Sequence, residues 1–324
     1  MPPVLNITIP VFNRLEKTQL TILALRKTSQ KIPFVITVVN NGSDPELSQR
    51  LMNFKNDGII DNLLVLPRNM GIACAANVGW QLVDAPYYMK LDNDVIIKDK
   101  NWSSKIFNLW RHGEPDSTIG GAYNWAMLTN NPDYLTTEDG ILGVCAATLP
   151  GHAIIIPKRI SQVIGLWNED YGLYGAEDGD YGVRMGVAGF KQYYYNTEDI
   201  LTHVGVDDDY EYVDRGVIKQ QESGKLFIDA SGNVGWFSVN SFLFYYCLRE
   251  LKVPLRYKIV DVQKNHVVIL QEDPVYTEFR KGLEHVQRIM TRLNKAGKDL
   301  HVFEYMEKFK EIIQSCSPAG TSDA

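Results

Sequence analysis

The chain has 324 residues, of which 45% are hydrophobic and 22% are charged, proportions typical of a globular protein rather than a disordered or fibrous one. Its length allows one large α/β domain with a smaller appendage, or two modest domains. The formal net charge of −6 lacks the basic excess that sequence-independent binding to nucleic acid requires, so we expect no nucleic-acid partner.

Three features of the sequence bear on the location of the protein. The cysteines form no CxxC pair, which is typical of free thiols in a reducing compartment; they are Cys74, Cys145, Cys247 and Cys316. The start of the chain, MPPVLNITIPVFNR, has no basic segment before a long apolar stretch, so we expect no signal peptide. The longest apolar run, 236–248, is too short to span a bilayer and predicts a buried helix or strand. We therefore expect a cytoplasmic protein, with peripheral contact at the inner face of the membrane as the alternative.

The first hundred residues alternate between two kinds of segment. Short runs rich in β-branched and aromatic residues predict strands at 4–10, 34–40, 63–67 and 87–92. Helical patterns lie between these runs. Asn13 and Glu16 predict a capping pair for the first helix, and Asp44 before Pro45 predicts the start of the second. The small residues of 71–83 predict a third helix that packs closely on a sheet. This alternation predicts a parallel sheet with right-handed crossovers.

The rest of the chain changes in character. Segment 148–159 predicts another apolar strand, and 164–196 is dense in glycine and acidic residues. The alternation is lost after about residue 215, and 275–314 has a helical pattern with an apolar face. The predicted divisions are a domain, a partly helical extension and a disordered tail, at 1–215, 216–316 and 317–324.

Polar side chains follow three of the four predicted strands. The first strand leads into Asn13 and Arg14, and the second leads into Asn40 and Asn41. The fourth strand leads into an Asp-Asn-Asp triplet. Because ligands of parallel sheets bind at the carboxyl ends of the strands, these groups are expected to surround one crevice.

That triplet, Asp92-Asn93-Asp94, raises the question of what neutralises two carboxylates beside a buried strand. Residues two apart in a strand point to the same side, so both acids can approach one cation. Oxygen ligands of this kind suit Mg²⁺ or Mn²⁺. The other interpretation is a turn with solvated acids, which the apolar residues running up to Asp92 disfavour.

A second acidic group and two histidines complete the candidate residues. Asp180 and Arg184 predict an i,i+4 ion pair on a helix, which leaves Glu177 and Asp178 in a glycine-rich loop where one of them can act as a general base. His203 is either structural or a metal ligand. His152 has the same two interpretations, and the acidic run 207–214 predicts a solvated loop.

Several segments, in order along residues 4–205, resemble the motifs of the family 2 glycosyltransferases, which have the GT-A fold. The segments are IPVFNRLE, VVNNGSDPE, NMGIACAANVG, KLDNDV, GHAIIIPKR, GLWNEDYG and GAEDGDYGVRMGVAGF. The resemblance implies an α/β, Rossmann-like fold, with a mostly parallel central sheet flanked by helices and a C-terminal largely helical extension. It also implies a catalytic domain at 1–215, with a nucleotide-binding half (1–100) and an acceptor half (101–215).

The resemblance further implies roles for individual residues. The metal ion, Mn²⁺ or Mg²⁺, is expected at Asp94 and Asp92, with a further contact from His203. Asp178 is expected to be the base of an inverting displacement, and Glu177 to orient the loop or the acceptor. The expected donor-binding residues are Pro10, Phe12, Asn13, Arg14, Asn40, Asn41, Asn69, Asp92 and Asn93. The expected acceptor-side residues are His152 and Trp167.

Two departures from the family pattern leave the donor open. Asn40 and Asn41 stand where the family has acidic residues, and Ala76 stands where many members have arginine. A UDP-sugar is favoured, and dTDP- and GDP-sugars stay as alternatives. The implied acceptor is a glycan, a lipid-linked glycan or a protein, as in polysaccharide biosynthesis, and the C-terminal region is a candidate contact for a homo-oligomer.

Other classes of protein share parts of this pattern. A catalytically weak relative that only binds glycans or nucleotide sugars would lose the acidic motif or the base, and both are present. A sugar nucleotidyltransferase usually has a glycine-rich basic loop after the first strand, which PVFNRLE lacks. A dinucleotide-dependent dehydrogenase is disfavoured because no GxGxxG follows that strand.

Overall fold

The structure is a computed structural model that describes residues 4–28, 31–112, 117–121, 134–137, 140–146, 148–195, 200–205, 218–220, 226–228, 231–278, 280–282, 284 and 288. The predicted tail at 317–324, the acidic run 207–214 and most of the predicted helix 275–314 lie outside these residues. Within them, 274–278 is helical.

The central sheet contains nine strands of the described chain. They are β1 (Leu5–Val11), β2 (Phe34–Asn40), β3 (Asn62–Val65), β4 (Tyr87–Leu91), β6 (Ser117–Gly121), β7 (Tyr134–Thr137), β8 (Gly140–Cys145), β9 (Ala153–Pro157) and β10 (Lys191–Tyr195). Three separate pairs combine β5 (Val95–Ile97) with β11 (Leu201–His203), β12 (Ile218–Gln220) with β13 (Leu226–Ile228), and β14 (Tyr257–Val262) with β15 (Val268–Glu272).

Helices flank the sheet. They are α1 (Leu15–Arg26), α2 (Pro45–Asn56), α3 (Ile72–Leu82), α4 (Trp102–His112), α5 (Lys158–Ile164), α6 (Glu177–Val187) and α7 (Ser231–Tyr245), with a short 3₁₀ helix at Glu169–Tyr171. The four strands predicted in the first hundred residues and the predicted helix 71–83 agree with the observed bounds to within two residues, and the predicted segment 148–159 contains the shorter β9.

The strand order is β3-β2-β1-β4-β9-β6-β10-β8-β7. The first four strands are mutually parallel, as the sequence predicted. Strand β9 lies antiparallel between β4 and β6, and β8 lies antiparallel between β10 and β7, so seven of these nine strands share one direction. Every residue of β1 is buried, as expected for a central strand covered by helices on both faces.

Close packing of α3 on the sheet depends on a glycine. Asn6 Nδ2 donates to the carbonyl oxygen of Gly79 at 3.0 Å. A Cβ atom at position 79 would lie 2.3 Å from Thr8 Cγ2, so a larger residue would push the helix away from β1. The prediction that this small-residue helix packs tightly against the sheet is confirmed.

The two predicted helix caps have different outcomes. Asp44 accepts a hydrogen bond from Leu47 N–H at 2.9 Å and Pro45 is the first helical residue, which confirms the cap of α2. The predicted cap of α1 is wrong, because no side chain caps that helix and its cap residue is Arg14 in a left-handed conformation. Asn13, also left-handed, instead accepts from Asp44 N–H at 2.9 Å.

The C-terminal extension contains both helix and strand. The predicted apolar segment 236–248 overlaps α7, which packs on α6. The hairpin β14–β15 was not predicted, because most of its side chains are exposed and its apolar pattern is weak. It attaches to the sheet edge through a bridge between Val65 and Val267 and through buried Val268. Among the described residues, no helix is both long enough and apolar enough to cross a bilayer.

Candidate functional site

The carboxyl ends of β2, β1 and β4 are neighbours, and hydrogen bonds join the loops that follow them. Asn41 N–H donates to Val11 O at 2.7 Å, and Asn13 N–H donates to Ser43 Oγ at 3.0 Å. Asn93 Nδ2 donates to Asn13 O at 3.2 Å. The three polar strand ends that the sequence singled out therefore lie along one edge of the sheet.

The donor-side asparagines are engaged with these loops. Asn40 donates to Ser48 Oγ at 2.9 Å and accepts from Ser43 N–H at 2.9 Å. Asn41 donates to Asn69 Oδ1 at 3.0 Å and accepts from Met70 N–H at 2.8 Å. Both side chains thus connect loops, and their predicted contacts with a nucleotide stay predictions.

The remaining donor-side residues differ in exposure. Pro10 is buried within β1, and Phe12 is partly buried just after it. Asn93 is 8% exposed and donates to Thr18 Oγ1 at 2.8 Å, so its amide fastens the loop after β4 to α1. Asn69 Oδ1 also accepts from the amide of Gly71 at 3.0 Å, which shapes the turn before α3.

Asp94, a predicted metal ligand, lies close to two side chains from other parts of the chain. Its carboxylate forms an ion pair with Arg14, and its Oδ1 lies 3.3 Å from His203 Nε2. Burial raises the pKa of Asp94, but His203 and Arg14 outweigh that effect and lower it. A Cβ at Gly205 would lie 1.9 Å from Asp94 Oδ2, so only glycine fits beside this carboxylate.

Asp92 has a different partner. Lys90 Nζ donates to Asp92 Oδ1 at 2.6 Å and to the carbonyl oxygen of Gly151 at 2.6 Å. The Lys90 side chain is only 1% exposed, whereas that of Asp92 is 25% exposed. Burial lowers the pKa of Lys90, but the nearby carboxylates, Asp92 foremost, outweigh it and raise the pKa, so the ammonium stays charged.

The candidate base lies at the start of α6. Asp178 Oδ1 accepts from Gly179 N–H at 2.8 Å, and its Oδ2 accepts from Gly151 N–H at 3.1 Å. Glu177 is 5% exposed, and burial, with a contribution from Asp178, raises its pKa to about 7. The predicted ion pair between Asp180 and Arg184 is confirmed at 2.6 Å.

The two acceptor-side residues are both buried. Burial, followed by the effect of His203, lowers the pKa of His152 to about 3, so its ring is neutral. The carbonyl oxygen of His152 accepts from Asp92 N–H at 2.8 Å. Trp167 packs against Trp80 and Tyr181, at centroid distances of 5.6 and 4.8 Å. Because Trp167 is 2% exposed, it supports the site from inside the fold.

Sequence reasoning did not find Asn77, although it connects the donor-side helix to the acceptor-side loop. Asn77 donates to Trp167 O and to Glu169 Oε1, both at 2.8 Å, and accepts from Trp167 N–H at 2.9 Å. Burial raises the pKa of Glu169 to about 7. A lone asparagine on the buried face of an apolar helix was the signal available in the sequence.

The same loop holds the C-terminal extension through Asp170. Its buried carboxylate pairs with Arg249 at 2.8 Å and Arg280 at 3.2 Å, and it accepts a hydrogen bond from the hydroxyl of Tyr276. Burial opposes ionisation here, but the two arginines hold the pKa of Asp170 well below its usual range. The extension is therefore attached to the acceptor-side loop by charge as well as by packing.

Asp94 and His203 bring together two groups of the kind that bind a divalent cation. Asp94 Oδ1 accepts no hydrogen bond from the described residues, and its 3.3 Å separation from His203 Nε2 is close to the spacing of about 3 Å expected for adjacent ligands. Asp92 pairs with Lys90 instead. The described residues contain no cluster of three or more candidate ligands, so the three predicted ligands are not assembled around one point.

A mostly parallel sheet with antiparallel β9 beside β4, whose end carries the paired acids, defines the GT-A class of fold. The mannosyltransferase PcManGT from Pyrobaculum calidifontis, solved with GDP-Man and Mn²⁺, has a TM-score of 0.52 and 12% identity to this chain. The match covers 78% of this chain and 66% of that one, which is just under two thirds of its length. S. aureus TarS 1–349 matches with a TM-score of 0.50 and 12% identity, over 97% of this chain and 91% of that one.

Residues 6–143 match the sequence model of glycosyl transferase family 2, the family whose motifs the sequence resembles. The matched segment includes Asp92 and Asp94 and ends before Glu177, Asp178 and His203. No curated protein sequence matches the chain.

Proposed function

We propose that the protein transfers a sugar from a nucleoside diphosphate sugar to an acceptor hydroxyl, with inversion at the anomeric carbon. One observation supports the proposal most directly. Asp178 is connected through Gly151 and Lys90 to Asp92, so a short chain of hydrogen bonds joins the candidate base to one of the acids that follow β4. A base held close to an acid of the proposed donor side suits a single displacement.

In the proposed step, the acceptor oxygen attacks the anomeric carbon from the face opposite the diphosphate. The new carbon–oxygen bond forms as the bond to the diphosphate oxygen breaks, and the acceptor proton passes to the carboxylate of Asp178. Because a carboxylate is a much weaker base than an alkoxide, proton transfer is concerted with attack. Glu177, whose pKa is about 7, lies beside this base and orients the loop.

The donor side has two kinds of cation. Asp94 and His203 would hold Mn²⁺ or Mg²⁺, which when bound stabilises negative charge on the leaving diphosphate. Arg14 is the cationic side chain next to that site, and we assign it to the diphosphate. Pro10, Phe12 and Asn13 are proposed to line the nucleotide pocket.

The nucleotide and the acceptor are further parts of the proposal. Since the amides of Asn40 and Asn41 bind neighbouring loops, they shape the pocket rather than discriminate strongly between bases. UDP-sugars are favoured, with dTDP- and GDP-sugars as alternatives. The acceptor is a glycan, a lipid-linked glycan or a protein, and the C-terminal extension is a candidate contact for a membrane surface or a second copy.

Thermal stabilisation by a panel of UDP-, dTDP- and GDP-sugars with Mn²⁺ tests donor binding, because a ligand specific for the native state raises the melting temperature. Release of labelled sugar from the best donor, with Mn²⁺ and with EDTA, then tests turnover. We expect stabilisation and metal-dependent release. Stabilisation without release under any condition would indicate a binding protein, and the absence of both would contradict the proposed function.

A further inference from the structure

Lys90 is a charged residue inside a buried strand. The segment YYMKL of β4 is otherwise apolar or aromatic, and the Lys90 side chain is 1% exposed. Isolating an ammonium group from water is costly unless carboxylates and hydrogen-bond acceptors replace the water. Asp92 Oδ1 and the carbonyl oxygen of Gly151, both at 2.6 Å, supply that replacement.

Gly151 connects the lysine to the candidate base. Its carbonyl oxygen accepts from Lys90, while its N–H donates to Asp178 Oδ2 at 3.1 Å. A Cβ at position 151 would lie 3.2 Å from Lys90 Nζ and 3.3 Å from Asp178 Cβ. Both distances are shorter than most Cβ contacts, so a larger residue would require the lysine or the aspartate to shift by a few tenths of an ångström.

The charges around Lys90 come from both sides of the crevice. Asp92 belongs to the donor side, whereas Glu177 and Asp178 belong to α6, and all three interact electrostatically with its ammonium group. Arg14 and Arg184 have other partners, since Arg14 pairs with Asp94 and Arg184 pairs with Asp180. Lys90 is thus positioned to balance acids that would otherwise repel each other.

We propose that Lys90 is a positioning residue for sugar transfer: it holds Gly151, and through Gly151 the carboxylate of Asp178, in register with the donor-side Asp92. The inference rests on the proposed function and deepens it. Lys90 touches neither the acceptor nor the reacting carbon, so its loss affects the rate of the chemical step more than donor binding. The competing interpretation is that Lys90 only neutralises the partly buried carboxylate of Asp92.

The test compares three variants that all lack the carboxylate at position 92. They are Asp92→Asn alone, Lys90→Met with Asp92→Asn, and Lys90→Gln with Asp92→Asn. Methionine and glutamine are similar in size, but only glutamine can donate a hydrogen bond to the carbonyl oxygen of Gly151. Because none of the three variants has a carboxylate at position 92, none of them needs a cation to neutralise it.

We expect kcat of the methionine double variant to fall at least tenfold below that of Asp92→Asn, with the donor KM nearly unchanged between them. The glutamine double variant should recover part of the loss. Equal kcat in all three variants would overturn the positioning role. A change confined to the donor KM would also overturn the positioning role.

Crystal structures of the two double variants give a readout that does not depend on activity. We expect the contact between Gly151 N and Asp178 Oδ2, 3.1 Å in the native chain, to be kept with glutamine and lost with methionine. An unchanged contact in both variants would overturn the inference. If these contacts behave as expected while the native chain turns over no nucleotide sugar, the proposed function fails and the positioning geometry stands.

Discussion

His203 Nε2 lies 3.3 Å from Asp94 Oδ1, and the pairing of two short strands produces this proximity. In the antiparallel pair β5–β11, His203 is opposite Val95, the residue that follows Asp94. Val204 N–H also donates to Asp94 O at 2.8 Å, which holds the two chains together at this point. A histidine and an aspartate far apart in sequence thus meet where we propose that a divalent cation binds.

Arg14 and a divalent cation are expected to compete for Asp94, because the guanidinium pairs with the same carboxylate. We expect Arg14→Met to increase the affinity for Mn²⁺ without nucleotide about tenfold, or about 1.4 kcal/mol, near the lower limit for a hydrogen bond to a charged group. Isothermal titration calorimetry or electron paramagnetic resonance measures this affinity. Asp94→Asn should abolish binding, and Asp84→Asn, at an exposed ion pair, should leave it unchanged. Weaker Mn²⁺ binding by Arg14→Met would contradict the competition.

Asp178→Asn tests the base. We expect turnover to fall about 10²–10⁴-fold, the usual contribution of a positioned proton acceptor, because the amide cannot take the acceptor proton. Donor affinity, measured by calorimetry with Mn²⁺, should stay close to that of the native chain because the proposed role places Asp178 against the acceptor. Turnover equal to that of the native chain would remove Asp178 from this role, and a large loss of donor affinity would assign it to binding instead.

Glu177 makes stability depend on pH in a predictable direction. Its pKa is about 7 in the folded chain against a reference of 4.5, so the folded state keeps a proton that the unfolded state releases. Rising pH between about 4.5 and about 7 therefore destabilises the native chain, by up to about 3 kcal/mol, and the effect is absent below that range. Glu177→Gln should remove this contribution and leave that of Glu169, whose pKa burial also raises to about 7, so the slope becomes shallower.

Urea unfolding of the native chain and Glu177→Gln at several pH values measures the difference. Glu16→Gln, at an exposed position in the first turn of α1, is the control and should keep the native slope. Parallel curves for the native chain and Glu177→Gln would show that Glu177 ionises in the same pH range when folded and unfolded.

Asp170→Asn tests the attachment of the C-terminal extension. The substitution leaves the buried Arg249 without its carboxylate and weakens the contact with the partly exposed Arg280, so we expect a loss of about 3–5 kcal/mol in the free energy of unfolding. Glu278→Gln breaks an exposed pair with Lys281 and should cost below about 1 kcal/mol. A loss for Asp170→Asn as small as that of the control would mean that packing alone holds the extension.

Local sequence patterns were sufficient to predict the strands and helices of the first hundred residues. The run 34–40 coincides with β2, and 71–83 contains α3. A buried strand needs apolar residues along its length, and a close-packed helix needs small residues, so both are visible in a short stretch of sequence. Asp44 and Pro45 also predicted the start of α2, because the capping side chain of Asp44 accepts its hydrogen bond from a residue within the first turn of the helix. The hairpin β14–β15 escaped prediction because its exposed residues carry little of such a pattern.

The sequence by itself determined the alternation of strands and helices, the order of the motifs and the candidate acids at the ends of the strands. Only the tertiary structure decided how those acids are paired: Lys90 with Asp92, Arg14 with Asp94, and Asp178 with the peptide of Gly151. The physical reason is distance along the chain. Local conformational preferences act over a few residues, whereas the partner of a buried charge is selected by whichever groups the packed fold brings within hydrogen-bonding distance.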